Sequence, residues 1–482
     1  MYLGIDLGTS SVKTLLIDKN QMITGSASAE LEISRPHPGW SEQNPADWIE
    51  ATKNAMAELK LNHGVALGKV QGIGLSGHMH GATLLDKNDE VIRPCILWND
   101  TRSHEEAAEL DANPLFGSLS GNIVFPGFTA PKLCWVKNNE TYNFKKTAKV
   151  LLPKDYLRLW LTGETVSEPS DAAGTSWLDV AKRDWSSELL DASGMDRSQM
   201  PDLVEGSEVS GHLRSELAGA WGMYNVVVVA GGGGDNAASA IGMGIVEEGS
   251  AFLSLGTSGV LFAANDTYSP NPESAVHTFC HALPDRWHQM GVILSATDAL
   301  NWYSGITGMG PGDLTAELGD TLRPPSRATF LPYLSGERTP HNDAAIRGGF
   351  YGLEHTSDRA DLTQSVLDGV GFAFRDCLEA LRVAGTDVKR VTAVGGGSNS
   401  IYWLKAIATI LNVPVDLPEE GDNGAAFGAA RLGLIAAENA NPAKICKQAK
   451  TVRTLEPDEK FTADYDAAYS KFTSLYPAIK GL

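Results

Sequence analysis

One tetrapeptide, Leu-Gly-Thr-Ser, occurs twice, at Leu7–Ser10 and Leu255–Ser258. Apolar runs flank each copy: Tyr2–Asp6 and Val12–Ile17 the first, Ala251–Ser254 and Gly259–Ala263 the second. A strand–turn–strand hairpin tipped with Gly, Thr and Ser turns backbone N–H groups and hydroxyls outward, the groups that grip phosphate oxygens. Two such tips half a chain apart suggest a duplicated fold that clamps one polyphosphate from both sides. Asp6 stands just before the first tip. A carboxylate there repels phosphate unless a cation bridges them, and magnesium is the usual bridge; a turn-capping aspartate is the plainer alternative.

A second group of residues suits proton transfer to and from a polar substrate. Gly231-Gly232-Gly233-Gly234-Asp235-Asn236 lets the backbone approach a ligand closely and puts Asp235 where an Ala- and Ser-rich helix begins. The positive end of a helix keeps a carboxylate anionic at neutral pH, which suits a general base, with Asn236 orienting the hydroxyl it deprotonates. An N-capping aspartate after a glycine turn is the competing reading. In His78-Met79-His80-Gly81, extended alternation would put both histidines on one side and Met79 on the other. No third ligand has metal spacing nearby, so the expectation is a neutral histidine donating to a sugar hydroxyl, with Met79 against the carbon face. A loop histidine without a task is the alternative. Ser398-Asn399, after the turn Gly395–Gly397, can set an amide against a nucleotide or form a plain strand-to-helix turn. Trp98, Asn99, Asp100 and Arg102 can bind hydroxyls or form a surface ion pair.

The elements that must carry these residues alternate strand and helix. Strands are expected at Tyr2–Ile5, Val12–Ile17, Gln21–Leu31, Val70–Ser76, Val91–Trp98 and Val226–Ala230. Asn44, Pro45 and Asp47 mark a helix start, and Ala237–Ile245 reads as a small-residue helix. In the second half Leu362–Leu381, Trp403–Leu411 and Gly424–Ala437 read as helices, with strands at Arg390–Val394 and Val413–Leu417. The order hairpin, helix, strand, glycine turn, helix therefore recurs, and the boundary between halves is placed near residue 245. The residues after about 440 carry little signal.

A chain of 482 residues exceeds what one hydrophobic core normally serves. A net charge of −20 repels nucleic acid and anionic lipid, so neither is an expected partner. Five scattered cysteines without a C-x-x-C pair fit reduced thiols in a cytoplasmic protein. No signal peptide or membrane-spanning apolar run is read in the sequence.

Taken together, these motifs resemble the FGGY carbohydrate kinases, members of the actin-like, ribonuclease H-like ATPase superfamily. The likeness rests on Gly4–Ser10, Gly232–Asn236, Leu255–Gly259, Gly395–Gly397, and Gly348–Leu353 followed by Asp361-Leu362 and Ser365–Asp368. It implies an α/β protein with two duplicated ribonuclease H-like (actin/hexokinase-like) domains around a central ATP cleft. Residues 1–244 would form the sugar-binding half with the first phosphate hairpin, and residues 245–482 the nucleotide-binding half. Gly77–Gly81, Leu97–Asp100, Phe128–Leu133, Leu151–Tyr156, Ser170–Thr175 and Leu331–Pro340 are similar to the subgroup acting on D-xylulose.

The resemblance implies ATP-dependent phosphorylation of D-xylulose at its 5-hydroxyl, with Asp235 as general base. It implies Met79, His80, Asp235 and Asn236 on the sugar, and Asp6 holding Mg2+. Thr9, Ser10, Thr257 and Ser258 would contact the ATP phosphates, and Gly396, Gly397 and Asn399 would lie near the nucleoside. A homodimer is compatible with it. The chain departs from the family pattern in having four glycines before Asp235 instead of three. The alternatives are an FGGY kinase for ribulose, L-xylulose or a polyol, and a non-catalytic actin-like ATPase, which would need an added interaction surface.

Overall fold

The structure, a computed structural model, describes residues 1–419 and 424–481. The first sheet contains β1 (Tyr2–Leu7), β2 (Ser11–Ile17), β3 (Ile23–Glu30), β4 (Gly72–Gly77), β5 (Val209–His212) and β6 (Val228–Ala230). Their order is β5-β6-β4-β1-β2-β3, and Gly233–Gly234 also pairs with β4. The second sheet contains β7 (Ser250–Leu255), β8 (Gly259–Asn265), β9 (His277–Cys280), β10 (Trp287–Ile293), β11 (Arg390–Val394), β12 (Val415–Pro418) and β13 (Thr451–Leu455). Its order is β9-β10-β8-β7-β11-β12-β13.

Matching strands pair alike. β1–β2 and β7–β8 are antiparallel hairpins, and β2–β3 matches β8–β10. β1–β4 and β7–β11 are parallel, as are β4–β6 and β11–β12. The expected duplication is therefore present strand by strand. β1 and β4 are buried on both faces along almost their whole length, which explains near-continuous apolar runs in place of alternation.

The helices that frame the sheets are α1 (Pro45–Leu67), α2 (Thr129–Asn139), α3 (Pro153–Thr162), α4 (Asp235–Met243), α5 (Thr297–Thr307), α6 (Arg359–Val383), α7 (Ile401–Leu411), α8 (Ala425–Glu438) and α9 (Thr462–Ile479). Asn44 caps α1 as expected, its side chain accepting from Ala46 N at 3.2 Å. α8 comes from the second half of the chain yet packs on β1 and β4 of the first sheet and on α4. Gly4, Gly72 and Gly74 leave the sheet bare beneath it. A Cβ at any of them would run into the helix backbone at Ala426, Gly433 or Ala429. Gly428 meets the Ala238 carbonyl of α4 in the same way.

Three expectations change. The strand expected over Val91–Trp98 shrinks to Cys95–Ile96, paired with Glu42–Gln43, because Pro94 interrupts the run. α4 begins at Asp235 itself and not at Ala237. The residues after 440 supply β13 and α9, and α9 buries Tyr465 and Phe472 in the second core. Among the described residues, no helix is long and apolar enough to cross a membrane.

Candidate active site

Strand register brings the chemical groups together. Leu7 pairs with Gly77, and Gly77 with Gly234. The first Leu-Gly-Thr-Ser tip, the His78–Gly81 turn and Asp235 thus emerge side by side at the carboxyl ends of one sheet. In the second sheet Ser254 pairs with Val394, so the second tip and the Gly395–Asn399 turn emerge side by side as well. Carboxyl ends of parallel strands are where open α/β sheets bind ligands.

Asp235 is the first residue of α4 and sits in a partly buried recess. Its Oδ1 accepts from Asn236 N at 2.7 Å and from Asn236 Nδ2 at 3.0 Å. Burial, aided by the nearby Asp6 carboxylate, pushes its pKa up to about 6 against the two Asn236 hydrogen bonds. The carboxylate is thus still anionic at neutral pH, as the expectation had it, but desolvation makes it a stronger base than an exposed aspartate. The first two of the four glycines before it are required, since a Cβ would strike the Glu205 carbonyl at Gly231 and the Leu75 carbonyl at Gly232; at Gly233 and Gly234 it would crowd the Ala282 and Met79 side chains. The extra glycine is absorbed without moving Asp235 from the helix start.

His80 departs from the extended alternation, since its φ is +68°. Its carbonyl accepts from Lys132 Nζ at 2.8 Å and Thr129 Oγ1 at 3.1 Å. Its ring stacks on Phe128 at 4.6 Å, and Nδ1 lies 2.7 Å from the Gly174 carbonyl. A carbonyl only accepts, so Nδ1 carries the proton, and burial holds the ring neutral with a pKa near 3. Nε2 is then an acceptor, which reverses the expectation of a donating histidine. His78 turns away against Trp48, 5.7 Å between rings, while Met79 lies beside Gly234.

The two tips are secured differently. Thr9 Oγ1 accepts from Trp98 Nε1 at 3.0 Å, and the Thr9 carbonyl from Gln43 Nε2 at 2.8 Å; Ser10 is exposed. Behind the second tip, the Gly256 and Thr257 carbonyls accept from Thr297 N at 2.9 Å and Ala296 N at 2.8 Å, at the start of α5. Thr257 and Ser258 are left exposed. Gly396, Gly397 and Asn399 line a cleft of about 640 Å³, opposite Thr297, Asn301 and Ala316. Asp100 and Arg102 form an ion pair, 2.7 Å apart, but a buried one, at most 1% exposed at the side chain, unlike the surface pair that was the alternative to hydroxyl binding. Trp98 remains 47% exposed beside the first tip.

Sequence reasoning assigns Thr129, Lys132 and Ser170 no individual role, naming them only within the segments Phe128–Leu133 and Ser170–Thr175, and does not single out Arg158 at all. Fully buried Lys132 sits between Pro131 and Leu133, and Arg158 between Leu157 and Leu159. A basic residue locked among apolar neighbours was the available signal.

Two family models match the chain, the N-terminal domain of the FGGY family of carbohydrate kinases over residues 1–242 and the C-terminal domain over residues 251–437. The xylulose kinase of Escherichia coli (strain K12) is 49% identical, covering 99% of this chain and 98% of that protein. The xylulose kinase of Klebsiella pneumoniae is 46% identical, with all of both chains covered. The crystal structure of a "xyloylose kinase" from Brucella ovis superimposes with a TM-score of 0.98 at 65% identity over 99% of each chain. On these matches and the duplicated fold, the chain belongs to the FGGY family of carbohydrate kinases.

Proposed function

We propose that the chain transfers the γ-phosphoryl group of ATP to the 5-hydroxyl of D-xylulose, giving D-xylulose 5-phosphate and ADP. One observation carries this reading: a phosphate-type hairpin, an accepting histidine and a recessed aspartate meet at the carboxyl ends of β1 and β4. The xylulose kinases related to it over the full length support D-xylulose as the acceptor.

Asp235 Oδ2, the oxygen that Asn236 leaves open, takes the proton of the 5-hydroxyl. The hydroxyl oxygen bonds to the γ-phosphorus as the bond to the β,γ-bridging oxygen breaks. A base with a pKa near 6 is ionised at neutral pH and still basic enough to share the proton. His80 Nε2 accepts from a sugar hydroxyl, the Asn236 carbonyl oxygen from another, and Met79 lies against the sugar carbons. The four tip residues Thr9, Ser10, Thr257 and Ser258 hold the polyphosphate, and Gly396, Gly397 and Asn399 accommodate the nucleoside in their cleft. Residues 1–244 supply the acceptor side and residues 245–482 the nucleotide side. In such a reaction positioning and charge stabilisation lower most of the barrier.

Asp6, close to Asp235, offers a sparse, oxygen-only donor set, and no cluster of three or more metal-binding side chains occurs among the described residues. That set suits Mg2+, which keeps waters and takes its other ligands from phosphates. Asp6 would hold the ion, which when bound offsets phosphate charge. Five unpaired thiols support a reducing, cytoplasmic setting.

The test is an ADP-release assay across D-xylulose, L-xylulose, D- and L-ribulose and glycerol, run on the native chain and on Asp235→Asn. The highest kcat/KM is expected with D-xylulose. Asp235→Asn is expected to lower kcat by about 10²–10⁴ while ATP still binds. Near-normal turnover in that variant refutes the base, and preference for another acceptor refutes the substrate.

A further inference from the structure

Five ionisable side chains form a knot beneath the Gly231–Asp235 turn, all with 0% exposure: Lys154, Asp155, Arg158, Glu168 and Asp171. Lys154 Nζ lies 2.6 Å from Asp155, 3.1 Å from Asp171 and 3.3 Å from Glu168, and Arg158 lies 3.6 Å from Asp155. A buried ionic group of this kind is weak support for stability, because apolar side chains of similar volume usually stabilise as well or better. What it does offer is direction.

Arg158 spends its guanidinium on the strand that leads into the turn. Nη1 donates to the Ala230 carbonyl at 2.6 Å and Nη2 to the Gly231 carbonyl, while Ser210 Oγ takes a further hydrogen bond. A planar, rigid fork can hold two successive carbonyls at a fixed angle; a flexible ammonium cannot. On the far side of the turn, Gly234 N donates to Ser170 Oγ at 3.1 Å, one residue before Asp235. Ser170 is itself fixed, since Glu168 accepts from Ser170 N at 2.7 Å and from Asp171 N at 2.9 Å. Between the two anchors, Gly231 N and Gly232 N donate to Glu208 and Gly206 carbonyls, each at 2.8 Å. The turn contains no side chain of its own to hold it, so its shape depends on these outside groups.

We propose that Arg158 and Ser170 are positioning residues for Asp235: together they fix the glycine turn from both ends and so aim the carboxylate at the acceptor hydroxyl. This rests on Asp235 acting as the base. Misplacing a reacting group by about 1 Å costs on the order of 10² in rate, and once an anchor is lost the turn has no side chain to replace it, only its backbone hydrogen bonds and the pairing of Gly233–Gly234 with β4.

The experiment measures kcat and both KM values for Ser170→Ala and Arg158→Lys, alone and combined with Asp235→Asn. Ser170→Ala removes one oxygen from a well-packed site, so it remains informative if Arg158→Lys fails to fold. Each single variant is expected to lower kcat by about 10–10², with both KM values within about threefold of native. In the Asp235→Asn background, adding Ser170→Ala is expected to change kcat by less than about twofold, because no carboxylate remains to be aimed. The proposal is overturned if Ser170→Ala leaves kcat unchanged, or if it lowers kcat by the same factor with and without Asp235. Full activity of Asp235→Asn overturns the base itself, a separate result from failure of the positioning.

Discussion

Replacing Lys132 with methionine is expected to raise stability and weaken sugar binding at once. The lysine is fully buried, with its ammonium on the His80 carbonyl and no carboxylate within ion-pair distance among the described residues. Desolvation is the largest cause that lowers its pKa from 10.5 to about 7. Such a drop is a penalty of about 4–5 kcal/mol on the charged form in the folded state. Methionine fills a similar volume without charge. The lost hydrogen bond from a charged donor offsets about 1.5–3 kcal/mol, leaving a net gain of about 2–3 kcal/mol. Thermal midpoints should then rise by roughly 2–6 °C.

The gain depends on pH with a definite sign. Below about 7 the lysine is protonated in both folded and unfolded chains, and the full penalty applies. Between 7 and 10.5 the folded lysine is neutral while the unfolded one is charged, so the penalty shrinks as pH rises. The advantage of the methionine variant should therefore be largest near pH 6 and mostly gone by pH 10. Function moves the other way. The ammonium pins the carbonyl of a residue held at φ +68°, a conformation that costs a non-glycine residue about 1–2 kcal/mol. With only Thr129 left on that carbonyl, relaxation of His80 should raise the KM for D-xylulose by about 5–30-fold, with the KM for ATP little changed. Thermal unfolding from pH 6 to 10 and steady-state kinetics decide it. A lower midpoint at pH 6, or an unchanged sugar KM, refutes the reasoning.

The glycines beneath α8 allow a paired test of packing. Gly74→Ala should destabilise by about 3 kcal/mol or more, since its Cβ meets the Ala429 carbonyl and neither backbone can yield. Gly219→Ala, in a helix with nothing within 4 Å of the new atom, should stabilise by about 0.5–1 kcal/mol; a raised denaturant midpoint for Gly74→Ala or a lowered one for Gly219→Ala would contradict the packing argument. In the cleft lined by Gly396, Gly397 and Asn399, proposed to take the nucleoside, Gly396→Val places its branch in open space. It should raise the KM for ATP by about 10–100-fold with sugar KM and thermal midpoint unchanged, and equal effects on both KM values would move Gly396 out of the nucleotide site.

The features legible in the sequence were those set by neighbours in the chain. Both hairpins, the Asn44 cap, the glycine turns and the small-residue helix after the first of those turns rest on local periodicity and turn chemistry, and all of them are present, the helix starting two residues earlier than read. The misreadings arose where distant residues decide. His80 leaves the extended form because Thr129 and Lys132, some fifty positions on, hold its carbonyl. α8 reads as a helix of the second half, yet nothing local shows that it covers the first sheet; Gly4, Gly72 and Gly74 mark the place only once the helix is seen above them.

The repeated tetrapeptide can now be weighed against its two settings. A side chain at Gly8 would approach only the Ser11 carbonyl, at 3.1 Å, and one at Gly256 only the Ser258 carbonyl, at 3.4 Å. Neither glycine has a positive φ. Ser10, Thr257 and Ser258 are exposed and fill no core. The supports behind the tips also differ: Gln43 and Trp98 hold the first, and the start of α5 holds the second. Only Thr9, which accepts from Trp98 Nε1 at 3.0 Å, has a structural partner for its hydroxyl among the described residues; packing and turn geometry demand neither the glycines nor Ser10, Thr257 and Ser258, and could not by themselves keep the two tips alike. The demand common to both lies on their open side, where small residues with outward hydroxyls and N–H groups suit the oxygens of a bridging polyphosphate.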